Sequence, residues 1–222
     1  FELKTFKINF KISNKKDTNE YTYINLDCNA DGVTKNSERR RTILAASGCS
    51  LPYEQFPNEV TAGLSKFKLA DKNSMRTVLI PHSQEFEIPN GTNSILILGA
   101  SMANDKELCF YTDSLERKLT FFDFSEPIGQ CDMEALNQKA YIKNAVLGIE
   151  FSHTHHPLDD NFNHKARFFV YEIEINKQNT LKLPDDNRTV ILAMTAVKKS
   201  SSVKLTSDLT YDFSKQIEKT EV

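Results

Sequence analysis

The sequence predicts an all-β protein, an antiparallel β-sandwich or barrel-like architecture with little helix. Apolar residues alternate with polar ones along much of the chain, as at Phe6, Ile8, Phe10 and Ile12, and a period of two is typical of a half-buried strand. Turn-forming residues separate these segments at short intervals. Many short strands with few helices indicate a sandwich or a barrel.

Strand patterns recur from one end of the chain to the other, and helical patterns are scarce. The only segments predicted as helical are Ser37–Arg41 and Met133–Lys139. The predicted strands are residues 3–12, 21–28, 41–47, 64–69, 76–80, 84–88, 94–101, 107–111, 118–124, 140–151, 166–176, 189–197 and 203–213.

Phenylalanine is predicted to build the core, because the chain has 15 Phe and 7 Tyr but no Trp. Phe121-Phe122 and Phe168-Phe169 each put a large apolar residue on both faces of a strand. Such strands are central ones covered by layers on both sides, or they face a partner subunit. These pairs therefore predict central strands and leave self-association open.

The 222 residues are interpreted as one β-rich domain spanning residues 1–222, a length at which sandwiches often form a single domain. The alternative is two tandem β modules, residues 1–90 and 91–222. It rests on the likeness of Glu38–Leu44 to Glu116–Phe122, since each copy lies between two cysteines.

Composition limits the class of partner. The formal net charge is −2, so no global field attracts nucleic acid or an anionic membrane. The longest apolar run, Ile95–Ala100, is far shorter than the roughly 18 residues of a membrane-spanning helix. We expect a protein or glycan ligand, no nucleic acid, no integral membrane segment and no cofactor.

Cysteines and glycosylation motifs favour an extracellular or cell-surface location. The four cysteines form an even set that disulfides in an oxidising compartment would use. Two Asn-x-Thr motifs sit at turn-like sites, where a glycan would lie outside the fold. The candidate disulfide residues are Cys28, Cys49, Cys109 and Cys131, and the candidate glycosylation sites are Asn90 and Asn187.

Histidines cluster in one short stretch, which contains four of the five in the chain. On a strand, His153 and His155 share a face, and a nearby carboxylate or a further histidine would complete a set of nitrogen and oxygen ligands for zinc, iron or nickel. The predicted ligands are His153, His155, Asp159 and His164. The alternative is a solvated connection between two strands.

A second metal pattern lies near the N-terminal end. Asp27, Asn29, Asp31 and Glu38 match the spacing of oxygens in a calcium-binding loop. The same Asp, Asn and Gly residues are also those of an ordinary tight turn.

One basic run, Arg39-Arg40-Arg41, is a candidate binding patch for a sulfated glycan or a phosphate. It lacks the interleaved aromatic residues that single-stranded nucleic-acid sites use. The alternative is a solvated turn.

Catalytic motifs are absent from the sequence: it contains neither a Gly-x-Ser-x-Gly elbow nor a phosphate-binding glycine loop. The sequence therefore predicts a non-enzymatic, secreted or cell-surface β-sandwich that binds a macromolecule through its loops, as an adhesion protein does. The first alternative is a structural subunit of a capsid, tube or array. The second is a metal-dependent enzyme or metal-binding protein that uses the histidine cluster.

Overall fold

A computed structural model describes residues 19–42, 44, 48–132, 139–162 and 165–198. These residues form short and medium β-strands with one 3₁₀ turn at Tyr53–Gln55. The strands are β1 Glu20–Ile24, β2 Val33–Thr34, β3 Leu51–Pro52, β4 Glu59–Ala62, β5 Ser65–Lys68, β6 Glu85–Glu87, β7 Ser94–Ser101, β8 Lys106–Thr112, β9 Leu115–Phe121, β10 Gly129–Gln130, β11 Tyr141–Ile142, β12 Val146–Phe151, β13 Thr154–His155, β14 Asp160–Asn161, β15 Ala166–Glu174, β16 Thr180–Lys182 and β17 Thr189–Lys198.

A five-stranded antiparallel sheet in the order β1-β17-β7-β15-β12 forms the central layer. All eight residues of β7 are buried, and β17 is buried along almost its whole length. A strand covered on both faces needs apolar residues at every position rather than at alternate ones. The continuous apolar run of β7 meets that requirement.

Aromatic rings join one face of the central sheet to a second sheet, in which the strand order is β6-β16-β8-β9. Tyr171 of β15 stacks on Phe121 of β9, with ring centroids 3.9 Å apart. Phe121 also stacks on Phe110 of β8 at 5.7 Å. Burial of these large rings supplies much of the apolar area between the two sheets.

Smaller elements cover the opposite face of the central sheet. Phe168 lies edge-on to Phe151 with centroids 6.2 Å apart, and Phe151 stacks on Phe56 at the same distance. The β4–β5 hairpin packs against β12 and β17, where the Thr195 hydroxyl donates to the Lys66 carbonyl oxygen at 2.8 Å. The central sheet therefore has a covering layer on each side, and Phe168 and Phe169 point to opposite layers.

The β-sandwich prediction is confirmed, and most of the longer predicted strands are present. Residues on both sides of position 90 share the same sheets, since β1 pairs with β17 and β6 pairs with β16. The predicted strand 140–151 is divided into β11 and β12. The helix predicted at Ser37–Arg41 is wrong, because these residues form a turn and a bend followed by irregular backbone.

Several predictions concern residues beyond the described ones. They are the strands 3–12 and 203–213, most of 41–47, and the helix Met133–Lys139 apart from its last residue.

Candidate metal centre

A short hairpin holds the histidine cluster. β13 and β14 pair antiparallel with His155 opposite Asp160, and the His156 backbone N–H donates to the Asp159 carbonyl oxygen at 2.8 Å across the tip. Ser50 and His155 donate backbone hydrogen bonds to each other's carbonyl oxygens, both at 2.9 Å. The backbone of His155 is therefore held from both sides.

Two imidazoles and one carboxylate meet beside this hairpin. His153, His155 and Asp160 each offer one ligand atom, and these atoms lie within 4.8 Å of one another. His155 Nε2 is 3.7 Å from Asp160 Oδ1, and the two imidazole centroids are 5.3 Å apart. Imidazole nitrogen and carboxylate oxygen are ligands for divalent zinc, iron, nickel and copper. The arrangement has the composition of a three-residue metal site.

The tautomer of His155 follows from its neighbours. Nδ1 lies 3.0 Å from the Thr34 carbonyl oxygen, and a carbonyl oxygen only accepts, so we assign the ring proton to Nδ1. His155 is 2% exposed, and burial lowers the pKa of its imidazole although the Asp160 charge acts in the opposite direction. The neutral ring thus has the orientation usual in metal-ligating histidines, whose second nitrogen donates to a fixed acceptor.

Asp160 presents an unsatisfied oxygen to this ring. Its Oδ1 atom is buried without a hydrogen bond, although Arg39 Nη2 lies 2.8 Å away in an ion pair and both side chains are 18% exposed. Arg39 Nη2 donates to Asn36 Oδ1. Asp160 Oδ1 and His155 Nε2 are therefore two acceptor atoms that face each other, and a cation bound by both would compensate for their desolvation.

His153 is more exposed and has its own set of neighbours. Its Nδ1 atom lies 2.9 Å from Ser152 Oγ and 3.3 Å from Gln55 Nε2. The ring of Phe162 is 4.9 Å from the imidazole, centroid to centroid. Since Gln55 Nε2 only donates, Nδ1 is the acceptor and the proton lies on Nε2. Coordination through Nε2 needs the proton on Nδ1, where Ser152 Oγ can accept it.

The histidine prediction identified two of these three residues. Asp160 rather than Asp159 is the carboxylate beside the rings, because the hairpin register sets Asp160 opposite His155 and leaves Asp159 exposed at the tip. His164 lies outside the described residues. Thr34 and Gln55 were not predicted, and since they lie about 100 residues or more before the histidines, no local pattern marks them.

Two of the four predicted calcium ligands have other partners in the structure. Asn29 Oδ1 accepts the Ile80 backbone N–H at 2.8 Å, and Asp31 Oδ2 lies 2.7 Å from Arg40 Nη2. Among the described side chains, Asp27, Asp31 and Glu38 do not form a cluster of ligand atoms. The Asn29 amide thus pairs with the Ile80 backbone as a neighbouring strand would.

The three arginines of the basic run are used differently. Arg39 pairs with Asp160, Arg40 pairs with Asp31, and Arg41 is exposed. Two of the three charges are thus balanced by carboxylates of the chain.

The disulfide prediction is wrong, because all four cysteines are free in the structure. Cys49 Sγ donates to the Leu44 carbonyl oxygen at 2.9 Å. Cys109 lies in β8 opposite Lys118 of β9, so the strand register gives it a lysine rather than a cysteine as neighbour. Cys28 is half-buried and Cys131 is exposed.

Both glycosylation motifs lie at exposed turns. Asn90 precedes β7 and Asn187 precedes β17, and each asparagine is exposed. The threonines of the two motifs, Thr92 and Thr189, are buried.

Across the part of the chain that the structure describes, none of the helical segments is both long enough and apolar enough to cross a membrane.

Comparison with known proteins identifies a family for this chain but does not identify a function. A search of curated proteins finds no match. A family model described as an AziU2-like beta-sandwich domain matches residues 19–200. The chain therefore belongs to the family of AziU2-like beta-sandwich domains.

Proposed function

We propose that this β-sandwich is a binding protein that holds a divalent first-row transition metal, of which zinc is the reference case, between His153, His155 and Asp160. The observation that carries the proposal is the 3.7 Å separation of His155 Nε2 and Asp160 Oδ1, two acceptor atoms that face each other, of which Asp160 Oδ1 also pairs with Arg39 at 2.8 Å. A metal ion accepts a lone pair from each and turns the repulsion between two facing acceptors into coordination.

Local support for the ligands favours a metal over a solvated loop. His155 is fixed through Nδ1 by Thr34, and its backbone is fixed by Ser50. Outer hydrogen bonds of this kind orient ligands, and their loss typically costs about 10- to 100-fold in metal affinity. A histidine in a solvated connection needs neither constraint.

Zinc binding by calorimetry on metal-free protein tests the proposal. We expect one equivalent of Zn²⁺ to bind to the wild type, and His153→Ala and Asp160→Asn to weaken binding at least tenfold. Binding also stabilises the fold, by about 2.7 kcal/mol at a free zinc concentration 100 times Kd.

His156→Ala and His82→Ala are the matched controls. His156 belongs to the same hairpin, and His82 pairs with Asp185 at 3.2 Å instead. Both variants should bind zinc as the wild type does. Zinc affinity that is equal in all four variants and the wild type would overturn the proposal.

A second function, binding of a protein or glycan through the loops, is supported by the apolar residues of the same hairpin. Leu158 is 95% exposed and Phe162 is 68% exposed, both in one short segment of the chain, and patches of exposed apolar side chains are typical of contact surfaces. The test is a glycan array and a pull-down with the wild type and with a Leu158→Ser, Phe162→Ser variant. Loss of a captured partner in the variant supports the hairpin as the contact surface.

An extracellular or cell-surface location remains part of this second proposal. It rests on the exposure of Asn90 and Asn187 at turns, since the cysteines no longer support it. Expression through a secretory pathway should add glycan mass at these two asparagines, and Asn→Gln at each should remove it. Unmodified asparagines in the secreted protein would count against this location.

A further inference from the structure

The three ligands of the candidate metal centre leave a coordination position for a molecule from solution. Structural zinc sites use four protein ligands, whereas sites with three keep a position for water or a substrate. In the described part of the chain, the cluster contains His153, His155 and Asp160 and no fourth histidine, cysteine or carboxylate.

Arg39 pairs with one of the three ligands and has a further donor that is unused. Its Nη2 atom lies 2.8 Å from Asp160 Oδ1, while its Nε atom is buried with no hydrogen-bond partner. Asn36 anchors the guanidinium through the second contact of Nη2. A buried N–H without an acceptor is costly, and the planar guanidinium fork matches carboxylate and phosphate oxygens.

The local charge also requires an anion once a metal is bound. Asp160 and Glu54 each carry a negative charge, and the Glu54 carboxylate interacts with both histidines. Arg39 carries a positive charge, so the group has one negative charge in excess. A divalent cation reverses this to one positive charge in a partly buried site, where unbalanced charge is expensive. A bound oxyanion offsets this positive charge.

We infer that the site binds an oxyanion, a carboxylate or a phosphate, whose oxygens bridge the open metal position and the guanidinium of Arg39. This inference rests on the proposed metal binding. The metal is then part of the recognition site, and binding of the anionic ligand depends on the metal.

The test uses the full chain loaded with Co²⁺, because the visible spectrum of cobalt responds to its coordination sphere. Acetate and inorganic phosphate are titrated separately, which distinguishes the carboxylate from the phosphate form of the ligand. We expect a saturable spectral change with at least one of them. At saturating Co²⁺, Arg39→Gln should weaken binding of the anion at least tenfold.

Arg41→Gln is the matched control, since Arg41 is the exposed arginine of the same run, and it should leave both affinities unchanged. Failure of Co²⁺ to bind the wild type overturns the proposed metal site itself. Two results overturn only the oxyanion inference: cobalt binds but its spectrum does not change with either anion, or the anion affinity of Arg39→Gln equals that of the wild type. A tenfold loss of Co²⁺ in His164→Ala also overturns it, because the chain then fills its own fourth position.

Discussion

The backbone N–H of Phe122 donates to the phenolic oxygen of Tyr171 at 2.9 Å, and this bond joins the two large sheets. Tyr171 belongs to β15 of the central sheet, and Phe122 follows β9 of the second sheet. The tyrosine side chain is buried, which raises its pKa, so the phenol is uncharged at neutral pH and accepts the hydrogen bond from Phe122 as a neutral group.

Tyr171→Phe should therefore destabilise the protein by about 1–3 kcal/mol, because the Phe122 N–H loses its acceptor in a partly buried place. The ring stack on Phe121 remains in this variant, so the loss reports the hydrogen bond. Urea unfolding followed by circular dichroism measures it. Tyr111→Phe, at an exposed position of β8, should change the free energy of unfolding by less than about 0.5 kcal/mol. Equal effects of the two substitutions would contradict the prediction.

Gly99 of β7 packs closely against the neighbouring strand β17 and against Phe121 of the second sheet. A methyl group built on its Cα would lie 2.8 Å from the Val190 carbonyl oxygen and 2.9 Å from an edge carbon of Phe121. Both neighbours are buried and one is the backbone of the adjacent strand β17, so Gly99→Ala must displace that strand or the Phe121 ring. We expect a loss of about 1–3 kcal/mol, the usual cost of overpacking. Thermal unfolding measures it, and a variant as stable as the wild type would disprove the close contact.

The long strands could be predicted from sequence because their patterns are local. β7 was predicted with the bounds that it has, since a continuous apolar run between turn residues is typical of a strand covered on both faces. The two-residue strands β13 and β14 could not be predicted. β13 is also held by Ser50, about 100 residues earlier, and four residues are too few to carry a period.

The candidate site was predicted in part for the same physical reason. Histidine clustering is a local signal, so His153 and His155 were found. The choice of Asp160 over Asp159 depends on the register of a hairpin whose strands are only two residues long. The role of Arg39 depends on a contact across 121 positions of the chain, and the residue was predicted only as part of a basic patch.

Glu150 should make the stability depend on pH in the acidic range. Hydrogen bonds from Lys165 at 2.7 Å and Arg167 at 2.8 Å hold its pKa below the ordinary value, against the opposite effect of burial. The carboxylate thus stabilises the fold above its unfolded pKa, near 4.5, and this contribution is lost as the pH falls through the lower folded value.

Glu150→Gln should therefore lower the free energy of unfolding by up to about 1 kcal/mol at pH 7, because a partly exposed ion pair contributes little more than that. At a pH below the pKa of Glu150 in the folded protein, the substitution should have no effect. Urea unfolding at both pH values measures the difference. Glu107→Gln removes the partner of Lys118 in a pair that is more than half exposed, and it should have no measurable effect at either pH. A cost of Glu150→Gln that is the same at low pH would contradict the ion-pair origin.

The four thiols should react with a maleimide at clearly different rates. Burial, together with the charge of Asp27, raises the pKa of Cys28 from 9.0 to about 11, so its reactive thiolate is about 100-fold scarcer than in an ordinary thiol. Desolvation and the nearby Glu116 also raise the pKa of Cys109. Cys49 is buried, whereas Cys131 is exposed.

At pH 7.5 we expect Cys131 to be labelled first, Cys28 and Cys109 at least tenfold more slowly, and Cys49 only on unfolding. Peptide mass spectrometry over time gives the four rates, and fewer than four thiols in unfolded, unreduced protein would mean that a disulfide exists after all.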